Sequence, residues 1–435
     1  SARGLAAALL EAGLALWGPF AVPLDRLQYC DGLYGVLVAA HLAAGVILLL
    51  RGRTSGAHAA RRLPEVLFFA SLVLFLFSYI YASNANMDYV QRFMASGGAV
   101  RLAPDTRRER LAALVRHGPL LLVNLFGYAR SRVRAAGGER PVARWAAGLV
   151  LLSVALATVS FPSFVHRDGL SILAFFALVP LFQVLSAVPL GRGVFYGTMY
   201  GLLQGMLLNH WLATYSLVTL QLVCLVLGVY HAVFLLPTLW LRRRLNGLRF
   251  LVLPAAWVVF EYARSSGFLG YPWGLWGTSQ YGFHTLIQVA SLTGVWGVSF
   301  LVLLFNSGLA AALEVRRGGE RASSASGALP LLASALVLLA ALGFGLLSVG
   351  RLESPRAAAA TARLALVQQN SDPRKHDYAE TFRTLARLTD QALQSRPDLV
   401  VWSETAFVPN IRRWSQLDPA QHPLSALVHE FLRYQ

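Results

Sequence analysis

From residue 145 to residue 350 the sequence is a series of apolar runs broken by short loops, and most runs approach the length that crosses a bilayer. They cover 145–162, 169–190, 193–213, 216–240, 249–263, 286–312 and 329–350. A helix needs about 20 apolar residues to span the hydrocarbon layer, so 249–263 must tilt or extend. Such a chain folds as a polytopic helical membrane domain, not as a large soluble globule. Only 14% of the 435 residues are charged and 56% are hydrophobic, against about 25% charged in a soluble domain.

The net charge is +17, carried almost wholly by arginine; Lys375 is the only lysine. The arginines fall between apolar runs, as the positive-inside rule requires. No basic stripe on a soluble face is evident, so nothing marks a nucleic-acid partner. Arginines stand before 145, at Arg192, from Arg242 to Arg249 and from Arg316 to Arg321. The alternate loops, 163–168, 214–215 and 264–285, hold only Arg167 and Arg264. Alternation places the first set in the cytoplasm, and seven crossings then put everything after Arg351 outside.

Residues 1–144 form an unassigned extension with membrane-span candidates at 32–50 and 63–82, separated by Arg51, Arg53, Arg61 and Arg62. The run 111–129 contains Arg116 and His117 and stays open between a span and an amphipathic surface helix. An arginine-rich linker with Gly137 and Gly138 marks a boundary. Residues 4–23, interrupted by Glu11, do not read as a signal peptide. The missing initiator Met fits its removal before Ser1, or a fragment. Cys30 and Cys224 have no metal-ligand spacing and suggest no disulfide framework; Cys224 reads as a small core residue.

After Gly350 the character changes. Ala357 to Ala360 is a low-complexity linker. Arg363 to Gln368 and Asp398 to Trp402 read as buried strands. Between them Tyr378, Phe382, Leu385, Leu388 and Leu393 fit one face of a helix. A parallel strand–helix–strand unit is the start of an α/β layer. Residues 352–435 are thin for a complete domain of that kind. Glu404 stands at the end of the second strand, where ligands of α/β sheets gather. Burial beside Trp402 would raise its pKa towards a general base's range; the alternative is a solvated glutamate.

Within the membrane region Gly193, Gly197, Gly201 and Gly205 share one helix face. Close packing against a neighbouring helix is the first reading and a dimer face the second. The loop 264–285 carries Tyr271, Pro272, Trp273 and Trp276. Composition favours an interfacial aromatic belt over the lining of a lipid-access opening. Glu261, three residues before Arg264, is explained by a local ion pair or by snorkelling. Asn209, His210 and Trp211 form a polar step at a span end, suited to interhelical hydrogen bonding or a headgroup contact. His231 and His284 are isolated and form no metal site.

Taken together these stretches resemble the apolipoprotein N-acyltransferase family, a membrane-anchored branch of the carbon–nitrogen hydrolase (nitrilase) superfamily. Val367-Gln368-Gln369-Asn370 and Val400-Val401-Trp402-Ser403-Glu404-Thr405-Ala406 look like the opening of its hydrolase domain. Ser160-Phe161-Pro162, Asn209-His210-Trp211, Glu261 to Arg264, Gly270 to Trp273 and Gly277 to Gln280 resemble its membrane segments. The likeness covers about 145–435 and leaves 1–144 aside. It implies a seven-span domain over 145–351 and the beginning of an extracytoplasmic nitrilase-like αββα sandwich over 352–435. It also implies ping-pong transfer of an acyl group from a phospholipid to the α-amino group of a lipidated N-terminal cysteine on an apolipoprotein, in the bacterial inner membrane with the catalytic domain periplasmic. Glu404 matches the family's base. Trp402, Tyr271 and Trp273 are the candidate substrate contacts, and no cofactor or metal is implied. The family's lysine and nucleophilic cysteine fall beyond Gln435, so the chain is expected to be incomplete and inactive alone. The alternative is a non-catalytic membrane protein that binds lipid or lipoprotein.

Overall fold

The computed structural model describes residues 57–83, 106–134, 141–163, 166, 168–214, 217–245, 248–267, 270–316, 324–353, 361–369, 378–403, 410–420 and 422–434. The apolar run 32–50, the stretch 4–23, Cys30 and Glu404 lie outside them. The described residues form two compact units, one up to Arg351 and one from Leu352.

The first unit is helical. Two helices precede the expected span region: α1 (Ala57–Ser83) and α2 (Thr106–Arg134). Then come α3 (Ala146–Ser160), α4 (Val179–Ala187), α5 (Leu190–Leu208), α6 (Leu217–Arg244), α7 (Arg249–Arg264), α8 (Ala290–Arg316) and α9 (Ser324–Glu353). Each of the seven apolar runs contributes helix. Among the described residues, three helices are long and apolar enough to cross a membrane: Thr219–Arg244, Ala290–Val315 and Ala328–Arg351. Shorter apolar helices occur at Pro64–Ile80, Ala146–Ser160 and Ser171–Ala187.

The run 169–190 is not one continuous helix. A 3₁₀ turn, Ser171–Leu173, and a single turn, Ala174–Ala177, precede α4. A break in an apolar core exposes backbone groups that must find partners. Asn306 on α8 supplies them: its Oδ1 accepts from the Leu178 N–H at 2.8 Å and its Nδ2 donates to the Ala174 carbonyl at 2.8 Å. Ser153 Oγ on α3 accepts from the Leu181 N–H at 2.9 Å.

The glycine face of α5 is spent inside the chain. A Cβ on Gly197 would collide with Leu235, and one on Gly201 would collide with the His231 ring. Gly193 and Gly205 face Leu239 and Leu227. The four partners recur every fourth residue along α6, so the stripe is an antiparallel helix contact. His231 is packed between Trp257 and Phe260, with ring centroids 5.8 and 4.8 Å away. Cys224 is buried in the same core.

In the second unit β1 (Leu364–Val367) and β2 (Leu399–Trp402) pair in parallel, Leu364 beside Leu399 and Val367 beside Trp402. Helix α10 (Tyr378–Leu393) makes the crossover, and α11 (Ile411–Ser415) and α12 (Pro423–Tyr434) follow. The strands are not buried on both faces as expected. Val367 packs with Leu385, Val400 and Trp402, whereas Leu366 is 78% exposed and Leu364, Leu399 and Val401 are exposed beside it. The described helices cover one side of a pleat whose side chains alternate. Leu393 is likewise exposed. Thr389 is buried instead, and its hydroxyl accepts a hydrogen bond from the Trp402 indole at 3.0 Å.

Candidate functional site

The loop between α7 and α8 is held from below by one arginine. Arg264 ends α7, and its Nη1 donates to the Tyr271 and Trp273 carbonyls, both at 2.9 Å. Its Nη2 donates to the Gly274 carbonyl at 3.0 Å. The Arg264 carbonyl accepts from the Tyr271 N–H at 2.7 Å. One turn earlier Glu261, fully buried, accepts from the Trp276 N–H at 2.8 Å. The local ion pair expected for these residues is therefore replaced by a bridge through the loop backbone. Guanidinium suits this task because its donors are fixed in a planar fork.

Glycine lets the loop pass close to α8. The Gly277 N–H donates to Ser299 Oγ at 2.8 Å, and a Cβ there would lie 2.5 Å from the Val295 carbonyl oxygen. Gly274 has φ +71°, which L side chains rarely adopt.

These constraints divide the aromatic residues. Trp276 is turned inward, almost fully buried against Phe161 at 5.4 Å, so it is not part of an interfacial belt. Trp273 stays 53% exposed. Tyr271 stacks on it at 5.5 Å, and Trp211 from the polar step lies 6.1 Å from it. The Tyr271 hydroxyl donates to Asn209 Oδ1 at 2.5 Å. Burial, ahead of the field of Cys224, pushes the Tyr271 phenol up to about 12, and Arg264 opposes the shift. Tyr271 and Trp273 are thus brought together as an aromatic shelf on a fixed backbone.

In the second unit the carboxyl ends of the two strands are tied by Ser403 Oγ, which donates to Gln369 Oε1 at 3.2 Å. Trp402, half-buried, stands on the last residue of β2 against Phe431 at 5.4 Å. Glu404 follows Ser403 in the sequence and lies outside the described residues.

Residues 153–308, from α3 through the clamped loop into α8, match the apolipoprotein N-acyltransferase N-terminal domain. The chain is 30% identical over 298 residues to apolipoprotein N-acyltransferase 1 of Treponema denticola, covering 66% of this chain and 53% of that protein. It is 38% identical over 281 residues to apolipoprotein N-acyltransferase 1 of Treponema pallidum, covering 60% and 50%. Residues 153–308 thus form an apolipoprotein N-acyltransferase N-terminal domain. The apolipoprotein N-acyltransferase of Borreliella burgdorferi is 28% identical over 267 residues, covering 59% of this chain and 49% of its own length. The chain spans about half the length of these apolipoprotein N-acyltransferases. The arginine clamp lies inside the family domain, yet the sequence pairs Arg264 with Glu261 and gives no sign of its loop partners. Its three carbonyl partners lie seven to ten residues on, a spacing set by the loop's path rather than by helical periodicity.

Proposed function

We propose that the chain is part of an acyltransferase that moves a fatty acyl group from a phospholipid to the α-amino group of a lipidated N-terminal cysteine on an apolipoprotein. What carries this reading is the family-domain match of residues 153–308, followed in the chain by a parallel strand–helix–strand unit that leads into Ser403 and Glu404. Glu404 acts as general base and removes a thiol proton. The thiolate adds to the ester carbonyl carbon while a lysine stabilises the oxyanion. The C–O bond breaks, the lysophospholipid hydroxyl takes the proton, and an acyl thioester remains. The acceptor amine then attacks the thioester, the C–S bond breaks, an amide forms and the thiol is restored. Residues 352–435 contain no cysteine, and Lys375 precedes Glu404. The scheme requires a thiol and an oxyanion lysine besides Glu404.

Residues 145–351 make seven crossings of the bacterial inner membrane, and 352–435 open a nitrilase-like domain on the periplasmic side. Trp402 borders the acyl site, and Tyr271 and Trp273 contact the lipid. The test is acyl transfer from phospholipid to a diacylglyceryl-cysteine lipopeptide, with the full reading frame in membranes. Glu404→Gln should lower the rate roughly 10²–10⁴-fold, the usual worth of a general base. An unchanged rate would remove Glu404 from the chemistry, and no transfer by the unaltered protein would leave a lipid-binding role.

A further inference from the structure

Helix α2 is the element whose sequence reads two ways, and its charge does not decide between them. Arg107, Arg108 and Arg110 stand at one end and Arg130, Arg132 and Arg134 at the other. The packing does decide. Ala113, His117, Leu120, Asn124 and Tyr128 recur at helical spacing and are buried, on the side that packs along α1. The opposite side exposes Leu111, Leu114, Val115, Leu122, Leu125 and Phe126, the last 70% exposed. Polar groups therefore face inward and large apolar groups outward. A helix in water shows the reverse. An interfacial helix turns its polar face to water and buries its apolar face. Polar side chains on the helix–helix face with apolar ones outside is the arrangement of a helix surrounded by lipid. The stretch 111–129 is 19 residues, about 28 Å of helix, close to the ~30 Å hydrocarbon layer.

The contacts also orient the helix. Phe68, early in α1, stacks on Tyr128, late in α2, with centroids 5.5 Å apart, so the two helices run antiparallel. The Tyr128 hydroxyl accepts from the Ala147 N–H at 3.4 Å, which sets the end of α2 beside the start of α3. Glu65, at the start of α1, accepts from the Tyr196 hydroxyl and lies 4.0 Å from Arg192 at the start of α5. The starts of α1, α3 and α5 and the end of α2 thus share one side. Arg61, Arg62, Arg130, Arg132, Arg144 and Arg192 belong to it.

We infer that α2 is a lipid-facing transmembrane span, with bilayer acyl chains against its outer stripe, returning the chain to the arginine-rich side from which α1 leaves. This gives the extension outside the family match a role: an out-and-back hairpin locked to α5 through Glu65. It rests on the packing of α1, α2, α3 and α5 and meets the proposed acyl transfer only in the side on which the tail emerges. With α2 crossing, α3 starts on the arginine-rich side, and seven crossings bring the tail outside. With α2 on the surface, the same seven would bring it inside.

The experiment uses the full chain with Cys30→Ser and Cys224→Ala and one new cysteine at a time, in right-side-out membrane vesicles. A membrane-impermeant maleimide should label Gly98→Cys directly and Gly138→Cys only after permeabilisation. Labelling of both from one side would overturn the inference. A nitroxide on Phe126→Cys should collide with oxygen far more than with a water-soluble nickel complex, and the reverse would overturn it independently. Gln416→Cys reports the tail separately. Exterior labelling of Gly98→Cys together with interior labelling of Gln416→Cys keeps α2 as a span and removes acyl transfer at the exterior face.

Discussion

Replacing Arg264 with methionine keeps much of the side-chain volume and removes all three bonds to the loop carbonyls of Tyr271, Trp273 and Gly274. A hydrogen bond from a charged donor contributes about 1.5–3 kcal/mol. Three at the lower end amount to about 4.5 kcal/mol, within the range for breaking a buried polar network. Arg264→Lys keeps the charge but offers a single point donor in place of a fork. It should retain about one bond in three and lose roughly 2–3 kcal/mol. Equilibrium unfolding of the purified protein in bilayer mimetics measures the totals. Hydrogen exchange of the Tyr271 and Trp276 amides, bonded to Arg264 and Glu261, measures the loop itself. Both amides should exchange faster in the methionine variant. A loss below about 1 kcal/mol with unchanged exchange would refute the clamp, because neutral surface changes fall within about 0.5 kcal/mol.

Two further outcomes follow from the same loop. Gly277→Ala would put a Cβ 2.5 Å from the Val295 carbonyl oxygen and 3.1 Å from the Ser299 nitrogen. Neither backbone atom can rotate away, so a loss of about 1–3 kcal/mol is expected, read as a lower Tm; an unchanged Tm would contradict the close approach. The Tyr271 phenol is pushed up to about 12 by burial, above the ordinary value near 10. Its contribution to stability is therefore complete below about pH 10 and is lost as pH rises towards 12. An ultraviolet titration of the native protein minus that of Tyr271→Phe should isolate one late transition, and a transition near 10 would contradict the burial.

Much of the architecture could be read along the chain because it rests on local periodicity. The seven apolar runs contribute helix, and Leu364–Val367 and Leu399–Trp402 form strands around the Tyr378–Leu393 helix. The places where the reading failed share a cause. The run 169–190 is broken near Leu178, and nothing local marks the break, because its partner Asn306 is 128 residues away. Trp276 looked like its exposed neighbour Trp273 in composition, yet backbone bonds to Glu261 and Ser299 draw its segment inward. Leu366 looked buried, but the described helices pack against one face of the two-stranded sheet.

By itself, then, the order of residues determined that this chain builds apolar helices, that arginines cluster between the apolar runs, and that a parallel crossover follows them. Those properties depend on side chains within a turn or a strand of each other. Which face of α2 packs against α1, which glycines meet α6 and which carbonyls Arg264 holds were decided only by tertiary structure. Each of these depends on a neighbour brought close by folding, and a buried polar group is stable only where such a neighbour completes its hydrogen bonds.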